Sequence, residues 1–319
     1  MGHMWMQRKS PDSETEVMMS AELAMVGSET DSSPRAKPTV LDATSVETVI
    51  EPPRGWQLLN VRELWQFREL VFFLAWRDVK VRFKQTLLGV AWAVLQPALM
   101  MVVFTIFFSR MAGLSSGDVP YTLFAFAGLL PWTFFATAIT NAGNSVVGSE
   151  RLITKIYFPR LAVPFASVGA ALVDFAIAFG ILLVLMPLPF WGTWPTVKML
   201  LVPVIFFFIL LTALGLGTLL AALNVYYRDF RYVIPFFVQL GMFATPTVYM
   251  QPKGDETGLR ALWLVANPMT SLIAAFRSAV LGGDIAWGSV GISAAAAVLL
   301  FLIGCLYFRR VEDSFADTI

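Results

Sequence analysis

Thr86 to Ser109 reads TLLGVAWAVLQPALMMVVFTIFFS, twenty-four consecutive residues without a charge. At the helical rise, about 20 apolar residues cross a hydrocarbon core of roughly 30 Å, so this stretch is long enough to span a bilayer as a helix. Four more runs are equally free of Asp, Glu, Lys and Arg: Tyr121 to Ser149, Met199 to Tyr227, Tyr232 to Gln251 and Ile285 to Phe308. A sixth, Leu161 to Met186, carries only Asp174. The expected fold is all-α and polytopic, with six transmembrane helices over about 86–109, 121–147, 161–186, 199–225, 232–251 and 285–308.

Composition agrees: 57% of residues are hydrophobic and 14% charged, where a soluble domain would have about a quarter charged. Contiguous apolar runs exclude a membrane β-barrel, whose strands alternate apolar and polar residues. A net charge of +1 gives no general attraction to nucleic acid. Cys305, the single cysteine, reads as a small buried hydrophobe, and no intrachain disulfide is available. The single histidine, His3, lies in Met1-Gly2-His3-Met4, which reads as a cloning remnant or a mobile terminus, so no histidine-based catalytic or metal site is expected. No apolar segment with a cleavage site precedes the first span, and no signal peptide is expected.

Residues 1–55 are polar and rich in Ser, Thr, Glu and Pro, the composition of a disordered tail. Residues 56–85 differ, because apolar and charged side chains interleave. Phe72, Trp76, Val79 and Phe83 recur at helical spacing while Arg77, Lys80, Arg82 and Lys84 fall between them. That pattern predicts an amphipathic helix lying in the membrane surface, with a helix docked on a soluble partner as the other reading.

Cations near span ends give the orientation. Twelve Lys and Arg fall on the side holding 68–84, 151–160, 228–231 and 309–310; the other side holds five, Arg110, Lys198, Lys253, Arg260 and Arg277. Both termini are expected to be cytoplasmic, with 312–319 as the cytoplasmic end. Residues 259–283 are apolar enough to span but are broken at Asn267-Pro268 and carry Arg277. A re-entrant pair of helices on the external face preserves the cation bias, Pro268 supplying the break.

Asp174 is the one charge inside an apolar run. Such a carboxylate is either functional or satisfied by a neighbouring helix, for instance through Asn141 or Thr140. At 149–158 a short helix is expected: Ser149 can cap it, Glu150 lies in its first turn, and Pro159 limits it. Leu152 with Ile156 and Ile153 with Tyr157 are i,i+4 pairs, an apolar knob shaped for a partner's groove and flanked by Glu150, Arg151 and Lys155, with a loop resting on the lipid headgroups as the other reading. No Gly-Lys dipeptide occurs, so the chain has no phosphate-cradling P-loop. Aromatic residues are 14% of the chain; their rings can stack on the apolar faces of sugars. Trp92, Phe104, Phe108, Trp132, Phe135, Phe236 and Phe243 lie in the first, second and fifth runs and are candidates to line a path for cargo; helix core, lipid contact and interfacial belts are the competing uses of such rings.

The stretch Arg77-Asp78-Val79-Lys80-Val81-Arg82-Phe83-Lys84-Gln85-Thr86-Leu87-Leu88-Gly89, with Trp92 and Gln96-Pro97 after it, resembles the entry to the first span of ABC-2 type permeases that export polysaccharides. So do Leu152 to Arg160, Tyr227-Arg228-Asp229-Phe230, Thr245-Pro246 with Tyr249, Asn267-Pro268 and Glu312-Asp313-Ser314-Phe315-Ala316-Asp317, in the right order from about Trp56 to the end. The resemblance implies a half-transporter in the bacterial cytoplasmic membrane. Two copies would form the channel, and two copies of a separate ATPase would bind beneath and supply the ATP and Mg sites, so this chain itself would hold no cofactor and perform no catalysis. By the same resemblance 150–157 is a coupling helix, 63–84 an interface helix, and Asn267, Pro268 and Arg277 belong to external gate helices. The cargo would be a lipid-linked polysaccharide of the O antigen or teichoic acid type, with drugs or small lipids as the alternative. The polar N-terminus is longer than usual in that family. An ion-coupled carrier would show inverted repeats and several intramembrane charges, and a membrane transferase a cluster of reactive groups; neither is visible.

Overall fold

The computed structural model describes residues 65–84, 91–107, 119–188, 194–247 and 258–318. The expected tail at 1–55 lies outside them, as do Phe108 and the linkers 85–90 and 248–257. Every regular element among the described residues is helical.

Helix α1 (Arg68–Phe83) precedes α2 (Ala91–Phe104), then α3 (Tyr121–Gly148) and the six-residue α4 (Glu150–Lys155). After these come α5 (Ala162–Leu185), α6 (Val202–Tyr226, led in by a 3-10 turn at Val197–Leu201), α7 (Phe230–Ala244) and α8 (Leu259–Ala266). Helices α9 (Met269–Leu281), α10 (Trp287–Val311) and the terminal turn α11 (Phe315–Thr318) complete the order. Four helices are long and apolar enough to cross a bilayer: α3, α5, α6 with its lead-in turn, and α10 continued to Ser314. The first and fifth expected spans contain shorter helices, α2 and α7, of 14 and 15 residues.

Helix α3 is the hub. In its apolar stretch 78% of residues are buried, against 33% for α5, 33% for α6 and 39% for α10, so α3 is ringed by protein while the others keep an exposed side. Its own small residues admit the neighbours. A Cβ on Gly143 would come within 2.7 Å of Ile234 Cδ1 of α7, and one on Gly217 of α6 within 2.8 Å of the Ala142 methyl. Lipid tails are as apolar as leucine, so packing in a bilayer relies on close approach and on polar bonds between helices. Helices α6 and α10 meet back to back through Gly215 and Gly304: a Cβ on Gly215 would lie 2.6 Å from the Phe301 backbone. Asn224 Nδ2 of α6 donates to the Gly143 carbonyl at 2.8 Å, and Ser293 of α10 bonds Ser271 of α9 at 3.0 Å.

An aromatic knot joins four elements. Phe175 of α5 stacks on Phe206 of α6 at 3.9 Å; Phe134 of α3 meets Phe206 at 4.9 Å; Phe276 of α9 meets Phe175 edge-on at 6.1 Å. Offset and edge-on geometries are those that ring quadrupoles favour.

Helix α1 packs along α5 but does not present one apolar face as expected. Leu74 and Val79 are buried against the bundle, and Ala75 lies 3.5 Å from where a Cβ on Gly169 would stand. Phe72, Phe73 and Trp76 point outward, the rings of Phe72 and Trp76 stacked at 6.4 Å. Val79 therefore belongs to the opposite side from Phe72 and Trp76: the helix is apolar on two faces, one for protein and one for its surroundings. The side chain of Phe83 lies outside the described set.

Candidate functional site

The bundle has two chemically distinct ends. One carries α4 and α11; the other carries the start of α3 and the end of α9.

At the first end, Ser149 occupies the N-cap of α4, but its hydroxyl makes no capping bond. Its carbonyl instead accepts from the Leu152 and Ile153 amides at 2.9 and 3.1 Å, closing the first turn. The helix stops at Lys155, short of the expected 158, and Ile156 is extended. The expected i,i+4 knob is thereby corrected. Ile153 is buried among Val146, Phe158, Phe308 and Phe315, while Ile156 and Tyr157 are 57% and 75% exposed on extended chain and Leu152 is half-buried. Glu150, Arg151 and Lys155 are exposed around them. One side of this segment is rooted in the bundle, and the other offers two large apolar groups.

The root is reinforced by the chain's ending, whose role the sequence did not reveal. Phe315 is fully buried, edge-on to Phe308 at 5.2 Å and to Tyr226 at 6.4 Å. Arg160 donates to the Glu312 carbonyl, Arg309 pairs with the Glu312 carboxylate at 2.8 Å, and Tyr226 bonds Ser314. Helix α11 thus packs against both α4 and α6.

Asp174 has its partner in Arg82, not in α3: the guanidinium of α1 pairs with the carboxylate of α5. Thr140 spends its hydroxyl on the Ala136 carbonyl at 2.7 Å. An isolated carboxylate in an apolar run demands a cation, and that demand was the available signal; Arg151, Lys155 and Arg160 lie nearer in sequence, and the packing of α1 along α5 brings Arg82 instead. Trp76 and Lys80 lie on the outer side of α1, with the Lys80 ammonium 5.7 Å from the Trp76 ring, and Arg77 pairs with the adjacent Asp78 at 2.8 Å. Lys84 is exposed at the helix end.

At the other end the 259–283 segment is broken where expected. Asn267 ends α8 and Pro268 opens α9. Asn267 Nδ2 donates to Thr245 Oγ1 at 2.9 Å, tying the break to the turn after α7. Arg277 is buried, its guanidinium 3.9 Å above the Phe124 ring and 3.4 Å from the Pro246 and Thr247 carbonyls; the Thr247 carbonyl in turn rests on Gly128. Gly282 closes α9 at φ 82°, and Lys198 donates to the Gly282 and Gly283 carbonyls at 3.2 and 2.9 Å, a cation on helix-terminal carbonyls.

The aromatic candidates divide. Phe104, Trp132 and Phe135 are buried within one chain: Phe104 packs with Leu129 and Met242, and Trp132 lies 5.5 Å from Phe135 with its ring against Gly241 of α7. Phe236 and Phe243 are 59% and 56% exposed. Phe108 and the Trp92 side chain lie outside the described set. Exposed with Phe236 and Phe243 are Val233, Phe237 and Leu240 of α7 and Leu99, Val102, Val103 and Phe107 of the segment from α2. Phe104, Leu129 and Met242 join these two elements to α3.

Four apolar helices of spanning length, knit by close glycine contacts around α3, define a multi-pass helical membrane protein. The ABC-2 type transporter family matches residues 69–281, and the chain belongs to that family. It is 32% identical over 261 residues to the O-antigen export system permease protein RfbA of Myxococcus xanthus, covering 81% of this chain and 98% of that one. It is 24% identical over 251 residues to RfbA of Klebsiella pneumoniae, covering 78% and 94%. With the polysialic acid transport protein KpsM of Escherichia coli it shares 22% identity over 248 residues, covering 75% and 92%.

Proposed function

We propose that this chain is the permease subunit of an ATP-driven exporter of lipid-linked polysaccharide, of the O antigen type, in a bacterial cytoplasmic membrane. The observation that carries this reading is the likeness to RfbA of Myxococcus xanthus across 81% of this chain and 98% of that one. Two copies assemble, and each recruits one copy of a separate ATPase that holds ATP and Mg.

In this reading both termini and α4 face the cytoplasm, and α2 and α7 are the cores of the first and fifth of six spans. Helix α4 with Ile156 and Tyr157 is the coupling element. It is rooted by Ile153 and Phe315, so displacement by the ATPase moves α3, α6 and α10 together rather than bending a loop. Helix α1 rests in the interface with Phe72, Phe73 and Trp76 toward acyl chains, and Arg82 fastens it to α5. The exposed side of α2 and α7 meets the second copy, and the path for cargo runs along that seam, bordered by Phe236 and Phe243. Trp132 and Phe135 support those rings from behind. The α8–α9 hairpin dips in from the external side and closes the path, held by Asn267 on Thr245 and Arg277 on Pro246 and Thr247.

The deciding experiment is affinity purification in mild detergent followed by export measured in cells. An ATPase with a P-loop should accompany the chain in equal amounts, and cells lacking the chain should retain lipid-linked polysaccharide on the cytoplasmic side. A chain that purifies alone and transports in liposomes without nucleotide would overturn the assignment.

A further inference from the structure

At the α4 end lies an open cavity of about 350 Å³, between the end of α3, the end of α6 and the start of α7. Its polar lining is Glu150, Asn224, Arg228, Arg231, Tyr232 and Thr318. Arg228 and Arg231 are exposed and form no ion pair with any described residue. Two guanidinium groups three positions apart, facing one cavity without a carboxylate bound to either, leave positive potential with no partner.

The other groups narrow what can fill it. Asn224 already spends its amide on the Gly143 carbonyl and on Asn144 Oδ1 at 2.8 and 3.2 Å, so it has no role as a donor to a ligand. The first-turn amides of α7 are likewise occupied: Arg231 N bonds the Arg228 carbonyl at 3.3 Å and Tyr232 N the Asp229 carbonyl at 3.0 Å. Thr318 spends its hydroxyl on the Ser314 carbonyl at 2.7 Å, so among the described lining side chains the donors left are the two guanidinium forks and the Tyr232 hydroxyl. Planar forks match the oxygens of phosphate in two-pronged pairs, and arginine is the side chain suited to that recognition. Beyond Arg231, α7 continues directly into exposed Val233, Phe236 and Phe237. A phosphate seated on the arginines therefore lies at the foot of a surface that accepts a hydrocarbon chain.

We propose that this cavity is a phosphate-binding site whose ligand is the phosphomonoester or diphosphate headgroup of a membrane lipid. Glu150, the first residue of α4, lines the same cavity and opposes the anion. Movement of α4 and occupation of the site are then coupled: drawing Glu150 away favours the phosphate, and a seated phosphate pushes α4 outward. The site stands on the cavity and its charges, independently of which cargo the protein exports.

The test is native mass spectrometry of the full chain in detergent, with dioctanoyl phosphatidic acid, dioctanoyl phosphatidylcholine and inorganic pyrophosphate as separate probes. Phosphatidic acid should be retained over phosphatidylcholine. Arg228→Gln combined with Arg231→Gln should lower its affinity by roughly tenfold or more, the scale of a charge-assisted hydrogen bond. Glu150→Gln should raise it severalfold, a change in the opposite direction that misfolding would not produce. Pyrophosphate retained with the same dependence, and phosphatidic acid not, would keep the phosphate site and identify its source as a soluble anion. Equal retention of both lipids, or no loss in the double arginine variant, would overturn the proposal. So would a double variant that sheds the ATPase while binding phosphatidic acid normally, because the arginines would then face the partner's acidic surface. A chain that binds phosphatidic acid in this pattern yet recruits no ATPase would keep the site and lose the transport assignment.

Discussion

Arg82 and Asp174 stand 92 positions apart in the chain, and each makes the other tolerable where α1 lies on α5. Both side chains retain about a third of their exposure, 35% and 29%, so the pair falls between a solvent-screened surface contact and a buried one. Arg82→Ala should therefore destabilise by about 1–3 kcal/mol, because it leaves a carboxylate in an apolar setting without its cation. Asp174→Asn should cost less, since Arg82 can reach headgroups by extending along its stem. Thermal unfolding in detergent checks both; exchanging the two charges should recover part of the loss, and a swap as damaging as the sum of the single changes would show that the pair does not interact. The carboxylate's need for a partner was legible from its surroundings alone. Which cation would answer it was not, because that depends on α1 folding back along α5.

Helices α6 and α10 owe their approach to Gly215 and Gly304, which no periodicity distinguishes from other glycines in apolar runs. Gly304→Leu would drive a side chain into the α6 backbone and Thr218, so it should lower stability by about 1–3 kcal/mol, the scale of an overpacked core. Gly180→Leu is the matched control: nothing lies within 4 Å of its Cβ position, and the melting temperature should hardly move. The short α4 teaches a related lesson. Ser149, Glu150 and Pro159 located the element, but helical spacing grouped Ile153 with Tyr157, and the structure separates them because the helix stops at Lys155. Replacing Ile156 and Tyr157 together with Asp should abolish co-purification of the ATPase while leaving the chain inserted and folded. Ile153→Asp should instead unfold the α4 end, since its side chain is buried; limited proteolysis separates the two outcomes.

For the molecule as a whole, the apolar side of α2 and α7 that stands exposed among the described residues is the largest statement about assembly. Cys305 is buried, so a single added cysteine reports on contacts between copies without interference. Phe236→Cys or Leu240→Cys should give a disulfide-linked band of twice the chain mass after mild oxidation in membranes. Val204→Cys, exposed on α6, should not. Cross-linking at Val204 alone would overturn the proposed seam along α2 and α7 and, with it, the proposed place of Phe236 and Phe243 on a path for cargo.

Long charge-free runs and their cations determined, without any coordinates, that this chain is a helical membrane protein, because bilayer thickness and the cost of a naked backbone leave few alternatives. The break at Asn267-Pro268 was also legible, since proline's missing donor acts locally. Tertiary structure alone decided that α3 is the hub, that Arg82 meets Asp174, that Phe315 roots α4, and that Trp132 packs inside while Phe236 faces out. Those outcomes depend on which faces meet after the helices pack, and in a uniformly apolar run every face looks alike until a neighbour covers it.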